Sequence, residues 1–232
     1  MRKWRYESAA DLDQPFIERL RHFPREPDML VYGVRSLAAL ALRGWLSVYH
    51  RLEIVGRENL PANGSFVLVA NHTSHLDTLC LLAALPLRQL HRAFPAAARD
   101  YFFVTAPRVA AAAIFVNALP FERQIHARQS LELCRHLLAN PGNVLILFPE
   151  GTRSLDGALG KFRPGVGWLL AGTNVPVLPC RLAGCYRALP KGTWWPRPCR
   201  LKLTIGAART YPDTEPHTIA EDLRRAIIAL EE

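Results

Sequence analysis

Two short apolar runs, each ending in a turn-forming segment rich in reactive side chains, constrain this chain more than any other feature. The first, Ser65-Phe66-Val67-Leu68-Val69-Ala70, leads into Asn71-His72-Thr73-Ser74-His75-Leu76-Asp77. The second, Asn143-Val144-Leu145-Ile146-Leu147-Phe148, leads into Pro149-Glu150-Gly151-Thr152-Arg153-Ser154. Runs this short, apolar at every position after the first, read as strands covered on both faces. Similar runs recur at 52–55, 175–183 and 199–205, with a further one at 114–117, and helical patterns lie between them at 75–85, 124–139, 164–173 and 217–230. In the third-turn spacing of Ala127, Leu131, Cys134 and Leu138, and again of Ile219, Leu223, Ala226, Ile227 and Leu230, one helical face is apolar. Strands alternating with helices predict an α/β domain, a mixed and largely parallel sheet flanked by helices. Such sheets gather ligands at the carboxyl ends of their strands, where both polar segments fall.

The 232 residues suit one domain large enough to bury a core without disulfides or metals. We assign that domain to 51–232, preceded by a charged tail (1–28) and a hydrophobic stretch up to residue 50. On a helical wheel Asp28, Arg35, Ser36, Arg43, Ser47 and His50 share a sector about 120° wide, while Leu30, Val34, Leu37, Leu40, Leu42 and Val48 lie outside it. This pattern predicts a helix lying in a membrane interface with its arginines reaching the headgroups. A helix packed on the domain's own core has the same periodicity. A membrane span is disfavoured, because each central arginine costs ~2.5–3.5 kcal/mol on insertion scales.

Five scattered cysteines without CxxC spacing read as small buried hydrophobes of a reducing compartment. The basic N-terminus is not followed by an apolar run of signal-peptide type, so no secretory signal is expected. A net charge of +9 calls for an anionic partner: nucleic acid, an anionic bilayer or a phosphorylated substrate. No helix-turn-helix, RNA-recognition or zinc-finger signature occurs, so nucleic acid is not expected as the partner.

His72 and Asp77 are five residues apart, about 140° around an ideal helix. They meet only if His72 stays in the loop while Asp77 occupies the first turn of the next helix. Ser74 as N-cap, with Asp77 three residues later, fits that geometry. Two readings follow: a helix cap beside a turn-filling histidine, or a neutral imidazole oriented by a carboxylate to accept a proton from a hydroxyl. No serine or cysteine sits in a G-x-S-x-G context, which favours direct group transfer over a covalent intermediate. His72-x-x-His75-x-Asp77 also resembles the start of a metal site, but the other histidines supply no second ligand cluster. A His/Asp metallohydrolase is therefore the lesser alternative, and no metal is expected.

Paired N-H-x-x-x-x-D and F-P-E-G-T-R-S segments resemble the glycerophospholipid acyltransferase family, whose best-known members acylate lysophosphatidic acid. Leu119-Pro120-Phe121-Glu122-Arg123 and Val175-Pro176-Val177-Leu178-Pro179 match the family's other two blocks, and all four occur in the family's order over residues 71–179. The resemblance implies transfer of a fatty acyl group from an acyl-CoA or acyl carrier protein thioester to the hydroxyl of a lysophospholipid, 1-acylglycerol 3-phosphate first. Glycerol phosphate, another lysolipid or an amino-acid lipid are the alternative acceptors. His72 is implied as general base and Asp77 as its orienter. Glu150, Gly151, Thr152 and Arg153 form the substrate-binding loop, with Gly151 and Arg153 serving the phosphate, Glu150 organising the loop, and Arg123 giving a second cation. No cofactor beyond the donor is implied, and membrane lipids are expected partners of a peripheral or monotopic protein on the cytoplasmic face. Lys161 and Arg163 read as surface charges. Asn117 departs from the family pattern, and Leu189-Pro190-Lys191-Gly192 with Pro196-Arg197-Pro198 resembles acyltransferase domains found beside fatty-acid-activating enzymes. Acceptor and donor therefore stay open.

Overall fold

The computed structural model describes residues 29–98, 117, 119–121 and 127–231. Its strands are β1 (Glu53–Val55), β2 (Phe66–Ala70), β3 (Ala93–Ala98), β4 (Leu119–Phe121), β5 (Val144–Leu147), β6 (Thr173–Ala183), β7 (Lys202–Ile205) and β8 (Arg209–Tyr211). They form one sheet in the order β1-β7-β6-β2-β5-β3-β4, with β8 also paired to β6. From β6 through β2, β5 and β3 to β4 every pairing is parallel. β7 and β8 run antiparallel to β6, and β1 is parallel to β7. The sheet is thus mixed and largely parallel, as the alternation of patterns predicts. The helices are α1 (Met29–Tyr49), α2 (Leu76–Ala84), α3 (Leu87–Leu90), α4 (Ala127–Ala139), α5 (Gly165–Leu170), α6 (Cys185–Ala188) and α7 (Pro216–Ala229).

All residues of β2 and β5 are buried, and their alternation divides the core in two. Phe66, Leu68 and Ala70 meet Leu46 of α1 and Leu76, Cys80 and Leu81 of α2. Val67 and Val69 point the other way, into a cluster with Cys134 of α4, Leu169 of α5 and Ile219, Leu223 and Ile227 of α7. A strand whose two faces both meet helices must be apolar at every position, which explains the unbroken runs. On the second face, α5 and α7 cross closely. A Cβ at Gly167 would overlap the carbonyl oxygen of Pro216, so only glycine permits that approach.

The polar sector of α1 faces opposite to expectation. Arg35 is 3% exposed and donates from its guanidinium to Asn117 Oδ1 at 3.3 Å. Asn117 in turn donates to the carbonyls of His91 and Ala93 at 3.1 and 3.2 Å, in a left-handed conformation (φ 54°) that asparagine tolerates. Ser36 hydrogen-bonds His91, Arg43 donates to the Leu85 carbonyl, and the buried His50 donates from Nδ1 to the Cys199 carbonyl. The arginines therefore tie α1 to the α/β domain and do not reach for headgroups. Leu30, Val34, Leu37, Leu40 and Val48 are left exposed instead. Among the described residues α1 alone is long and apolar enough to cross a membrane. Burial against the domain lowers the Arg35 pKa to about 10, so the inward face of α1 carries a cation at neutral pH.

β3 escapes the sequence patterns because Ala93-Phe94-Pro95-Ala96-Ala97-Ala98 is poor in β-branched residues and contains a proline. The strand expected at 114–117 lies outside the described residues except for Asn117, which is not in a strand.

Candidate active site

β2 and β5 are adjacent, parallel and in register, Val69 opposite Leu147, so the segments that follow them emerge side by side. Asn71 extends the sheet by one step with its side chain. Its Nδ2 donates to the Leu182 carbonyl at 2.9 Å, and its Oδ1 accepts the Leu182 N–H at 2.8 Å. The chain then turns, and Asp77 in the first turn of α2 closes the turn. Asp77 is fully buried, and its Oδ2 accepts the backbone N–H groups of Thr73 at 2.6 Å and Ser74 at 2.7 Å. Ser74 Oγ accepts the Leu76 N–H at 3.2 Å. His75, assigned as the residue before α2, already has helical dihedrals (φ −65°, ψ −23°), so Ser74 does the capping.

The same Asp77 Oδ2 lies 3.0 Å from His72 Nδ1. An oxygen already accepting two backbone N–H groups belongs to a carboxylate, so Nδ1 carries the proton and Nε2 is left as an acceptor. Phe148 stacks on the imidazole, centroids 4.0 Å apart and planes at 17°, and fixes its plane.

Glu150 binds the two segments together. Its Oε1 accepts the His72 N–H at 2.7 Å and its Oε2 accepts the Gly160 N–H at 2.9 Å, while the His72 carbonyl accepts the Ser154 N–H at 2.8 Å. Burial pushes the Glu150 pKa up, and the two N–H donors pull against that rise. Each Glu150 oxygen thus holds a backbone N–H, which ties the loop to the His72 turn. Gly151 takes a left-handed φ of 73°, and a Cβ there would come within 2.7 Å of Arg163 Nε. Glycine thus serves both the turn and the close approach of a guanidinium.

His72 opens onto a cavity of about 270 Å³ lined by Leu131, Cys134, Leu147, Val166 and Leu169, with Gly151 and Arg163 on its polar side. Burial pushes the Cys134 thiol up to about 12, so it stays protonated and unreactive on this wall. Arg163, which the sequence presents as one more surface charge, is therefore part of the site. Its only sequence signal is the glycine-flanked loop it occupies. Arg153 is half-buried close enough to His75 for its charge to act there. Burial first, then Arg153 and His72, lower the His75 pKa to about 4, so that ring is neutral at physiological pH.

Thr152 is exposed on the same loop. Val175–Pro179 lies within β6, with Val177 and Leu178 fully buried, and does not line the cavity. Arg123 follows β4 but lies outside the described residues. Among the described residues no group of three or more His, Cys, Asp or Glu side chains is placed to hold a metal ion. A hydroxyl entering the cavity mouth would find an oriented imidazole acceptor, an apolar chamber and the guanidinium of Arg163.

A family profile described as Acyltransferase matches residues 51–183. A chloroplastic 1-acyl-sn-glycerol-3-phosphate acyltransferase of Brassica napus is 33% identical over 156 residues, 64% of this chain and 43% of that protein. The 1-acyl-sn-glycerol-3-phosphate acyltransferase of Pseudomonas aeruginosa is 30% identical over 178 residues, 76% of this chain and 66% of that protein. The chain thus spans less than half the length of its plant relative. The crystal structure of a 1-acyl-sn-glycerophosphate acyltransferase from Thermotoga maritima superimposes with a TM-score of 0.65 at 24% identity, covering 93% of this chain and 88% of that one. At that identity the likeness is one of fold.

Proposed function

The chain belongs to the acyltransferase family, and from that premise we propose that it moves a fatty acyl group from a thioester, acyl-CoA or acyl carrier protein, to the hydroxyl of a lysophospholipid, 1-acylglycerol 3-phosphate first. One observation carries this reading: an imidazole with its tautomer set by Asp77 stands at the mouth of an apolar cavity. In the proposed step His72 Nε2 takes the acceptor's hydroxyl proton while the oxygen attacks the thioester carbonyl carbon. The tetrahedral intermediate then collapses, the C–S bond breaks, and the departing sulfur takes the proton from His72, leaving as the thiol and restoring the neutral imidazole. The apolar cavity suits an acyl chain. Arg153, Arg163 and, beyond the described residues, Arg123 are the cations for the acceptor phosphate, since a guanidinium fork pairs with phosphate through two hydrogen bonds.

The relatives named as 1-acyl-sn-glycerol-3-phosphate acyltransferases support this acceptor. The exposed apolar side of α1 supports a peripheral or monotopic position on a membrane, which we place at its cytoplasmic face. The test is incubation of the protein with a panel of lysolipids and labelled acyl-CoA or acyl carrier protein. Arg153→Ala should raise the KM for a phosphorylated acceptor roughly ten- to hundredfold, leave the donor KM nearly unchanged, and cost little with a neutral acceptor. Equal losses on phosphorylated and neutral acceptors would remove the phosphate from the Arg153 assignment.

A further inference from the structure

The loop between α6 and β7 takes no part in the chemistry proposed above, yet its side chains are placed as if for a partner. Trp194 and Trp195 are 83% and 85% exposed. Neighbouring indoles left in water forgo the burial of a large apolar area each. The loop itself is held in shape. Thr193 closes a turn by donating its N–H and Oγ1 to the Pro190 carbonyl, and Arg197 N–H donates to the Ala188 carbonyl at 2.7 Å. Lys191, Arg197 and Arg200 are exposed around the indoles, and the sequence has no acidic residue between Asp156 and Asp213.

This loop continues the exposed face of α1. The Tyr49 hydroxyl donates to the Pro196 carbonyl at 3.0 Å. Between helix and loop lies an open cleft of about 730 Å³, bounded by Gly44, Val48, Arg51, Pro198 and Arg200. Gly44 and Val48 belong to the same exposed side of α1 as Leu37 and Leu40. The pairings of β1, β7 and β6 bring the end of α1 to the carboxyl end of β6, the end of the sheet that carries His72. The base of the loop also touches the reactive turn directly, since Ser74 Oγ donates to the Leu189 carbonyl at 2.8 Å.

We propose that the Trp194–Trp195 loop is a second membrane anchor, docking into the interface of an anionic phospholipid bilayer beside the apolar face of α1 and setting the height of the His72 site above it. Indoles settle at the headgroup level of bilayers, and basic side chains around them meet anionic headgroups. Arg51 and Arg200 then face phosphates across the cleft. This second anchor presupposes the membrane docking of α1 proposed above.

Flotation with phosphatidylcholine vesicles, with and without phosphatidylglycerol, separates the two. Trp194→Ser with Trp195→Ser should lower partition into anionic vesicles roughly tenfold or more while circular dichroism stays unchanged. Arg197→Glu with Arg200→Glu should cost roughly fivefold per residue at low salt, and much less on neutral vesicles. Trp194→Phe with Trp195→Phe should keep most of the binding but lose quenching by lipids brominated near the headgroup. If the serine variant binds like wild type while Leu37→Glu with Leu40→Glu abolishes binding, α1 docks alone and the loop is no anchor. Equal quenching of wild type and the phenylalanine variant would place the indoles outside the bilayer and overturn the proposal. If the serine and glutamate variants both bind like wild type, the membrane position proposed for α1 fails as well.

Discussion

His72 is surrounded by groups whose polar atoms are spent on holding it. Asp77 fixes its tautomer and also closes the turn, Glu150 holds its backbone, and Phe148 fixes its ring plane. His72→Ala should therefore cut turnover by roughly 10²–10⁴ with the melting transition little changed, because the scaffold keeps its own hydrogen bonds. Asp77→Asn should do more than slow turnover. An amide oxygen in the place of Oδ2 is an uncharged, weaker acceptor for the imidazole and both N–H groups, so we expect a loss of about 1–3 kcal/mol in urea unfolding as well. His75 gives a pH test. Its folded pKa of about 4 lies below the ordinary 6.5, so between those values the unfolded chain binds more protons than the folded one. Stability present above about pH 6.5 should be lost as pH falls towards about 4, by about 2 kcal/mol after discounting for the ring's partial exposure. His75→Gln, neutral throughout, should flatten that limb of the urea midpoint against pH; an unchanged limb would place the acid sensitivity in other groups. The pairing of His72 with Asp77 is legible through the family resemblance, since the spacing by itself also fits a helix cap beside a turn-filling histidine. Arg163 is not, since only the fold of Gly151 shows which guanidinium it admits.

At the scale of elements, α1 shows what periodicity can and cannot decide. The wheel gathers the polar positions into one sector, with Leu46 among them, but such a sector fits either orientation. Arg35 finds its partner in Asn117, 82 residues further on, and no local pattern announces such a contact. The reversed orientation divides the leucines of α1 into two classes. Leu46 is fully buried in the core between α1 and α2, and Leu46→Ala should cost about 2–5 kcal/mol in denaturant unfolding. Leu37 and Leu40 are exposed, so Leu37→Ala with Leu40→Ala should leave unfolding within about 0.5 kcal/mol of wild type. The same pair should nonetheless reduce vesicle binding. A destabilisation by the exposed pair equal to that of Leu46 would mean the outer face packs against protein. β2 and β5 were legible for the opposite reason, since burial on both faces removes every polar position and leaves a run that few other structures explain. β3 has the same surroundings on one side but uses alanines and a proline, residues that many structures share.

Over the whole molecule, charge and topology act on the same end of the sheet. The carboxyl ends of β2, β5 and β6 carry the reactive turn, the Glu150 loop and the tryptophan loop, and α1 ends beside them. A net charge of +9, with an acid-free stretch feeding that end, gives the protein a field that would favour both the anionic surface and the phosphorylated acceptor proposed for it. The two uses differ in range. Attraction to a membrane acts through solvent and is screened, with a Debye length of ~30 Å at 0.01 M salt and ~10 Å at 0.1 M. Contacts between a bound phosphate and guanidinium groups inside the site are screened far less. Acceptor embedded in anionic vesicles should therefore lose roughly tenfold in kcat/KM between those salt concentrations, while acceptor in neutral detergent micelles loses much less. Parallel initial-rate series in the two carriers measure this directly. If both fall by the same factor, the basic surface acts only within the site, and docking on the bilayer contributes nothing to catalysis through charge.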